Sequence, residues 1–157
     1  MLENRGALPL SADVLRGKKI ALVGPCANNT NCHTGDYNPK HDGPIVTPLS
    51  ALQERLGSAN VLYAPGCPGD DSCNGGPCPV SCRCVNTSHF PAAVAAAKAA
   101  DVVIFIGGAS ALAEWMEGEA ADKADLHWPG QQEPLAKAVH AAAAGKPFIV
   151  AMAHGTP

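Results

Sequence analysis

The carboxylates best suited to catalysis in this sequence lie close together in residues 114–125. The stretch contains Glu114, Glu117, Glu119, Asp122 and Asp125. A carboxyl group can act as a general acid when burial or a neighbouring like charge raises its pKa, and closely spaced carboxylates supply that charge. Trp115 within the stretch and Trp128 just after it offer ring faces suited to sugar rings. The competing interpretation is a solvated acidic loop before a helix, which the spacing alone slightly favours.

Seven cysteines form a second group of reactive side chains. Two fall early and five are crowded into residues 67–84: Cys26 and Cys32, then Cys67, Cys73, Cys78, Cys82 and Cys84. A structural zinc site prefers paired cysteine knuckles, and Cys78-x3-Cys82 provides one half without a clean second half. We therefore expect disulfides that staple long loops, and no metal site. The spacing does not fix which cysteines pair, and one of the seven is left over.

Two N-glycosylation sequons accompany the cysteines, at Asn28 and Asn86. Clustered cysteines beside sequons indicate an oxidising compartment, so we expect the secretory pathway and an extracellular location. The first residues, MLENR, lack the apolar core of a signal peptide. The simplest interpretation is that the chain is an internal piece of a longer secreted protein.

Several other functional classes find no support in the motifs. Residues 24–28 (GPCAN) lack the G-x-G-x-x-G spacing of a dinucleotide site, so we expect no cofactor. Ser110 is not in a G-x-S-x-G elbow, and no two histidines lie four residues apart as an H-E-x-x-H site requires. His127 and His154 fall on the rim of the predicted sheet where binding is expected and could contact substrate hydroxyls, although an ordinary structural role is commoner for each.

The charge and hydropathy patterns bear on two classes of partner. The formal net charge is −3, and the sequence has no Lys/Arg stripe of the kind that binds nucleic acid. No apolar stretch reaches the ~20 residues needed to span a bilayer. We therefore expect binding neither to nucleic acid nor to a membrane.

Four short apolar runs predict strands buried on both faces, as in parallel sheets. They are residues 19–23, 61–63, 102–106 and 148–152. Helical patterns separate them, at residues 48–56, 91–100 (with Ser88 as a candidate N-cap) and 131–144. This alternation predicts right-handed crossovers and an α/β fold, a three-layer sandwich around a mostly parallel sheet.

The lengths of the connections indicate where the chain works. The predicted helix-to-strand connections are short, whereas the strand-to-helix connections cover residues 24–47, 64–89 and 107–130. In a parallel sheet these long connections all leave from the carboxyl edge, where open α/β sheets bind ligands. Loops of this length are usually functional. We therefore expect the site at this edge, with the acidic stretch 114–125 on it.

Short motifs follow one another in an order that spans the chain. They are residues 2–10 (LENRGALPL), 19–28 (KIALVGPCAN), 35–37 (GDY), 47–49 (TPL), 63–67 (YAPGC), 97–103 (AKAADVV), 117–123 (EGEAADK) and 128–132 (WPGQQ). Together they resemble the C-terminal domain of glycoside hydrolase family 3. The doubled glutamate and the PGQQ helix start look closest to the β-xylosidase-like branch of that family.

The resemblance implies a retaining exo-β-glycosidase, of β-xylosidase or β-glucosidase type, that hydrolyses O-glycosyl bonds. Its substrate would be a β-linked oligosaccharide or glycoside. In the family's pattern Glu119 matches the acid/base residue, and Glu117 is the reserve. Asp122, Trp115 and His154 would contact the substrate.

The resemblance also implies a partner, because the family's aspartate nucleophile comes from an N-terminal barrel domain. Residues 1–16 would be the linker from that barrel, and residues 17–157 a partial C-terminal α/β-sandwich domain. We therefore expect the chain alone to be inactive. Two features depart from the family pattern: Lys123 replaces an arginine, and residues 68–86 form a cysteine-rich insertion. The alternative from another functional class is a non-catalytic carbohydrate-binding or structural α/β module.

Overall fold

A computed structural model describes the protein at residues 3–33, 43–67, 84–108 and 126–153. Four parallel strands form one sheet in the order β2-β1-β3-β4: β1 (Ile20–Val23), β2 (Val61–Ala64), β3 (Val102–Gly108) and β4 (Phe148–Ala153). The helices are α1 (Ala12–Leu15), α2 (Pro48–Leu56), α3 (Phe90–Ala99) and α4 (Gln132–Ala143). The predicted α/β fold with a parallel sheet is confirmed.

The strand order places β1 between β2 and β3. Ile20 of β1 pairs with Val61 of β2 and with Val102 of β3, which fixes the register of these three strands. The chain leaves β1 toward β2, then returns past β1 to β3 and β4. The connections after β1 and β3 therefore diverge, and such a switch point is where open α/β sheets bind ligands.

The alternation of side chains along β1 makes the sheet the middle of three layers. Val23 packs in one core cluster with Ala97 of α3 and Leu135 of α4. Leu22 points to the other face, where it packs with Leu49 of α2. All four residues of β1 are buried, as the uninterrupted apolar run predicted.

Helix α2 begins at a capping box formed by Thr47 and Ser50. The Thr47 hydroxyl accepts a hydrogen bond from the Ser50 N–H at 3.2 Å, and the Ser50 hydroxyl accepts one from the Thr47 N–H at 3.0 Å. Pro48 follows at the first helical position, where its fixed φ suits a helix and its missing N–H costs nothing. The helix ends at Gly57, whose φ of +84° favours glycine.

Helix α3 begins without a side-chain cap, so the predicted cap at Ser88 is wrong. The Ser88 hydroxyl donates instead to the Asn86 side-chain oxygen at 2.6 Å, in a turn before the helix. A serine hydroxyl can hydrogen-bond either in a local turn or at a helix cap, and here the Asn86 side chain accepts it in the turn. Pro91 then supplies the fixed φ near the helix start.

Strand β4 is less buried than its sequence predicted. Its residues are all apolar, yet Val150 is 40% exposed, because β4 lies at the edge of the sheet that the described residues form. An all-apolar strand is expected to be packed on both faces. In the described part of the chain, β4 is not packed in this way along its whole length.

Helix α1 lies inside the segment 1–16, which was predicted to be a linker. The Ser11 hydroxyl accepts a hydrogen bond from the Val14 N–H and so caps the helix. Leu15 is buried and packs with Ile20 and Val102. This segment therefore contributes a residue to the core, through a helix too short for periodicity to reveal.

Candidate functional site at the carboxyl edge of the sheet

The long connections leave from the carboxyl edge of the sheet. Strands β1, β2 and β3 end at Val23, Ala64 and Gly108, and each is followed by a long connection to the next helix. On the opposite edge the connections are short, such as Ala100 and Asp101 between α3 and β3. The difference between the two edges matches the one predicted from the sequence.

Gly24 brings the exit of β1 into direct contact with the backbone of β3. A Cβ atom at this position would lie 2.2 Å from the Ile106 carbonyl oxygen, and its φ is +106°. Two residues later, the Cys26 N–H donates to that same Ile106 oxygen at 3.1 Å. The backbone thus closes the gap between β1 and β3, which requires glycine at the turn.

A disulfide joins Cys26 to Cys32 within the connection that follows β1. The His33 Nε2 lies 3.2 Å from the Cys26 carbonyl oxygen, and the Thr47 hydroxyl donates to the Asn28 side-chain oxygen at 3.0 Å. The Ala27 carbonyl accepts from the N–H of Leu49 in α2. The start of this connection is therefore fixed to the beginning of α2.

A second disulfide joins Cys67 to Cys84 across the connection that follows β2. Both cysteines are buried, and Cys84 has a positive φ of 54°. The Cys84 carbonyl accepts a hydrogen bond from the Gln131 N–H at 2.8 Å, just before α4 begins. Gly66 leaves room for α4, because a Cβ there would lie 2.6 Å from a Leu135 methyl group.

The connection that contains the acidic stretch leaves β3 at Gly108 and reaches α4 at Gln132. The Gln132 side chain spans these two points. Its Oε1 accepts from the Gly108 N–H at 3.0 Å, and its Nε2 donates to the Gly108 carbonyl at 2.8 Å. Gln132 is 3% exposed, one of few buried polar side chains in the described residues.

Trp128 lies in the same connection, shortly before α4. Its ring stacks on Phe105 of β3, with ring centroids 5.8 Å apart and the planes 26° from parallel. The stack places Trp128 against the α3–α4 core cluster. Such a contact fixes the last part of the connection to the sheet.

An open apolar cavity of about 520 Å³ lies between α4 and the edge strand β4. It is lined by Leu126, Trp128, Glu133, Ala136, Lys137, His140, Phe148 and Val150. The Lys137 ammonium donates to Glu133 at 2.6 Å, and the pKa of that carboxyl is lowered by this hydrogen bond and charge, with His127 adding a smaller effect. Glu133 is thus ionised at neutral pH and unsuited to act as a general acid.

The residues proposed for catalysis and substrate contact all lie outside the described residues. They are Glu117, Glu119, Asp122, Trp115 and His154, and three of the cysteines, Cys73, Cys78 and Cys82, lie outside as well. The other four cysteines, Cys26, Cys32, Cys67 and Cys84, are paired in disulfides, so none of the four is a thiolate for metal. Within residues 3–33, 43–67, 84–108 and 126–153, no three His, Cys, Asp or Glu side chains are grouped to hold a metal ion.

Two functional features of the edge were not predicted from the residues. Gln132 was interpreted only as part of the PGQQ helix start. It lies three and four residues before Leu135 and Ala136, on the apolar stripe of α4, where a buried polar side chain needs a hydrogen-bond partner. The pair Gly107-Gly108 at the end of β3 is a sign of close backbone approach.

In the described part of the chain, no helix is long and apolar enough to cross a membrane.

The profile of the glycosyl hydrolase family 3 C-terminal domain matches residues 1–157. A "Probable exo-1,4-beta-xylosidase" of Aspergillus terreus is 36% identical over 153 residues, which are 96% of this chain and 16% of that protein. A "Beta-xylosidase" of Formosa agariphila is 32% identical over 166 residues, covering 100% of this chain and 20% of that protein. The chain therefore spans only 16% to 20% of the length of these relatives.

Solved structures show the same similarity. A GH3 exo-beta-xylosidase in complex with a xylobiose aziridine activity-based probe has a TM-score of 0.65 and 32% identity, over 95% of this chain and 16% of that one. A beta-glucosidase from Listeria innocua has a TM-score of 0.68 and 28% identity, over 99% of this chain and 18% of that one. With its full length matched, the chain belongs to glycosyl hydrolase family 3, of which it represents the C-terminal domain.

Proposed function

We propose that this chain supplies the acid/base residue of a retaining exo-β-glycosidase of β-xylosidase type. The observation that carries the proposal is the match to the family over residues 1–157, with 36% identity to a β-xylosidase. The substrate would be a β-linked xylo-oligosaccharide or related glycoside. The relatives named β-glucosidase make a glucoside the second choice, at 28% identity.

In this mechanism Glu119 donates a proton to the leaving glycosidic oxygen and then takes a proton from the attacking water. Glu117 is the reserve for this role. The first step requires a protonated carboxyl group, and the second requires its ionised form. The nucleophilic aspartate would lie on an N-terminal barrel domain, about 5–5.5 Å from the acid.

The residues around the acid would hold the sugar. Trp115 would stack on an apolar sugar face, and Asp122 and His154 would hydrogen-bond to sugar hydroxyls. The carboxyl edge supports this arrangement because its frame is held by two disulfides and by the Gln132–Gly108 contact. The disulfides also favour an oxidising, extracellular location for the parent protein.

The deciding experiment uses the full-length product of the gene that encodes this chain. Turnover of two aryl β-xylosides is measured, one with a phenol leaving group and one with 2,4-dinitrophenol. For Glu119→Gln we expect kcat/KM on the phenyl substrate to fall by about 10²–10⁴-fold, because its leaving oxygen needs a proton. The loss on the dinitrophenyl substrate is expected to be much smaller.

Glu117→Gln is the matched control, since it removes the same charge two residues away. The pattern found with Glu117→Gln but not with Glu119→Gln would exchange the two roles. An equal loss on both substrates, or none with either variant, would refute the acid/base role of this segment. Aryl β-glucosides, run in parallel, decide between xylosidase and glucosidase specificity.

A second measurement tests the shared site. The chain produced alone is expected to release no p-nitrophenol from aryl β-xylosides or β-glucosides, because the nucleophile would lie on the barrel. Robust turnover by the isolated chain would contradict the proposal and favour a complete site within these residues.

A further inference from the structure

We infer that Gln132 is a positioning residue for the acid/base glutamate, an inference that rests on the proposed function. Its side-chain amide accepts from the Gly108 N–H and donates to the Gly108 carbonyl, at 3.0 and 2.8 Å. Gly108 is the last residue of β3 and Gln132 the first of α4. One side chain thus joins the two ends of the connection that carries Glu117 and Glu119.

The paired hydrogen bonds leave the amide a single orientation. Gly108 is buried, so its N–H and carbonyl groups need partners within the protein. An amide offers a donor and an acceptor side by side, as this pair requires. A carboxylate would lack the donor, and an apolar side chain would lack both.

The two glycines before the connection make room for this contact. A Cβ at Gly107 would lie 2.9 Å from the Gln132 Oε1 and 2.8 Å from the Met152 sulfur. A Cβ at Gly108 would lie 2.2 Å from the Ala153 carbonyl oxygen of the neighbouring strand. The close fit is therefore built from both sides, by small residues on β3 and by a buried polar residue on α4.

The start of helix α4 is also held by contacts that do not involve the Gln132 side chain. The N–H of Gln131 donates to the Cys84 carbonyl, and Leu135 packs in the core one turn later. Helix α4 therefore stays attached to the sheet without the Gln132 amide. What the amide adds is a fixed position of the β3 exit, Gly108, relative to the start of α4.

This arrangement gives a specific expectation for catalysis. A misplacement of about 1 Å at a catalytic group can reduce the rate by about 10²-fold. In the full-length protein we expect Gln132→Met to lower kcat/KM on the phenyl β-xyloside by about 10–100-fold. The dinitrophenyl β-xyloside, which needs little acid catalysis, is expected to lose much less.

The double variant separates positioning from a general structural role. In the background of the glutamate variant that shows the acid phenotype, we expect Gln132→Met to add little further loss. Lys137→Met, an exposed polar-to-apolar change on the same helix, is the control, and it is expected to leave kcat/KM on both substrates unchanged. An equal loss on both substrates, or a full additional loss in the double variant, would overturn the inference.

Two further outcomes are distinguished by the same experiment. If Gln132→Met does not fold, Gln132→Asn is tested instead, because it keeps the amide and shortens its reach to Gly108. The same loss, selective for the phenyl substrate, is expected. An equal loss on both substrates overturns the inference. If neither Glu119→Gln nor Glu117→Gln depends on the leaving group, the proposed function itself fails. A selective effect of a glutamate variant with none from either Gln132 variant refutes the positioning role alone.

Discussion

The carbonyl oxygen of Cys84 accepts a hydrogen bond from the backbone N–H of Gln131 at 2.8 Å. Through this contact the Cys67–Cys84 disulfide supports the residue directly before α4. The connection after β2 and the connection after β3 are therefore not independent. A change at the disulfide is expected to reach the residues that position the acid/base segment.

Removing this disulfide is expected to affect both stability and catalysis. For the double variant Cys67→Ala with Cys84→Ala, we expect the free energy of unfolding to fall by about 3 kcal/mol, as loop-closure entropy gives for its spacing of 17 residues. The variant should also lose activity selectively on the phenyl β-xyloside, as is expected of a Gln132 variant. Urea denaturation and the two-substrate assay measure the two effects.

The Cys26–Cys32 disulfide provides the comparison. It closes a span of only 6 residues, so its removal is expected to cost about 2 kcal/mol. No described contact links it to α4. Selective loss on the phenyl substrate with this second double variant would argue against the route through Cys84.

Gly24→Ala is expected to be one of the most destabilising single changes in the domain. The new Cβ would meet the Ile106 carbonyl at 2.2 Å, in a backbone conformation that side chains rarely adopt. Backbone strain and overpacking together should cost about 3 kcal/mol or more. Gly17→Ala is the control, because its φ is +72° but no atom lies within 4 Å of its Cβ position.

The control isolates the contribution of φ. Gly17→Ala is expected to cost about 1 kcal/mol, from the backbone conformation alone. Thermal unfolding of the two variants under the same conditions provides the test. Equal effects of the two changes would show that β1 and β3 can separate at this point without cost.

The sequence was sufficient for the fold because the signals for its elements are local and agree with one another. The buried runs that became β1 and β3, and the Thr47-Pro48 start of α2, each express a preference that tertiary packing did not override. Ser88 shows the opposite case, since a nearby Asn86 captured its hydroxyl. The exposure of Val150 could not be predicted either, because it depends on what packs beside β4.

The candidate site was predictable only in part. The acidic stretch was visible from composition, and the glutamates within it were ranked by family resemblance rather than by geometry. The contact between Gln132 and Gly108 joins residues 24 apart in the sequence, and no local pattern specifies such a pair. The pairing of Cys67 with Cys84 is likewise a tertiary fact, which spacing left open.

N-glycosylation is expected at Asn86 more fully than at Asn28. Asn86 is exposed, and its side chain forms a turn with Ser88 of its own sequon. Asn28 is half-buried and accepts a hydrogen bond from the Thr47 hydroxyl. In protein secreted from a eukaryotic host, enzymatic removal of N-glycans should lower the mass of the wild type.

Variants at the two asparagines show which one carries the N-glycan. Asn86→Gln should abolish most of that mass change, and Asn28→Gln should leave it nearly intact. Mass spectrometry of the released peptides measures the occupancy directly. Full occupancy at Asn28 with none at Asn86 would reverse the assignment.

The ion pair of Glu133 with Lys137 predicts a small effect of pH on stability. Because the hydrogen bond from Lys137 lowers the pKa of Glu133, the folded state binds this proton less tightly than the unfolded state does. The stabilising contribution is present above the ordinary pKa of glutamate and is lost as the pH falls through the lowered pKa.

Glu133→Gln tests this directly. Its melting temperature should lie slightly below that of the wild type at neutral pH, and the difference should shrink as the pH falls through the lowered pKa of Glu133. Both groups are substantially exposed, so the effect is expected to shrink in high salt. A difference that grows as the pH falls would show that the sign is wrong.

The edge of the sheet opposite the proposed site offers a place to hold the protein without disturbing it. Gly57 and Ser58 are exposed there, between α2 and β2, and the connections on that edge are short. An affinity tag or a tether to a solid support inserted between these two residues would point away from the substrate. Catalyst beads made in this way should therefore keep their active sites turned toward the solution.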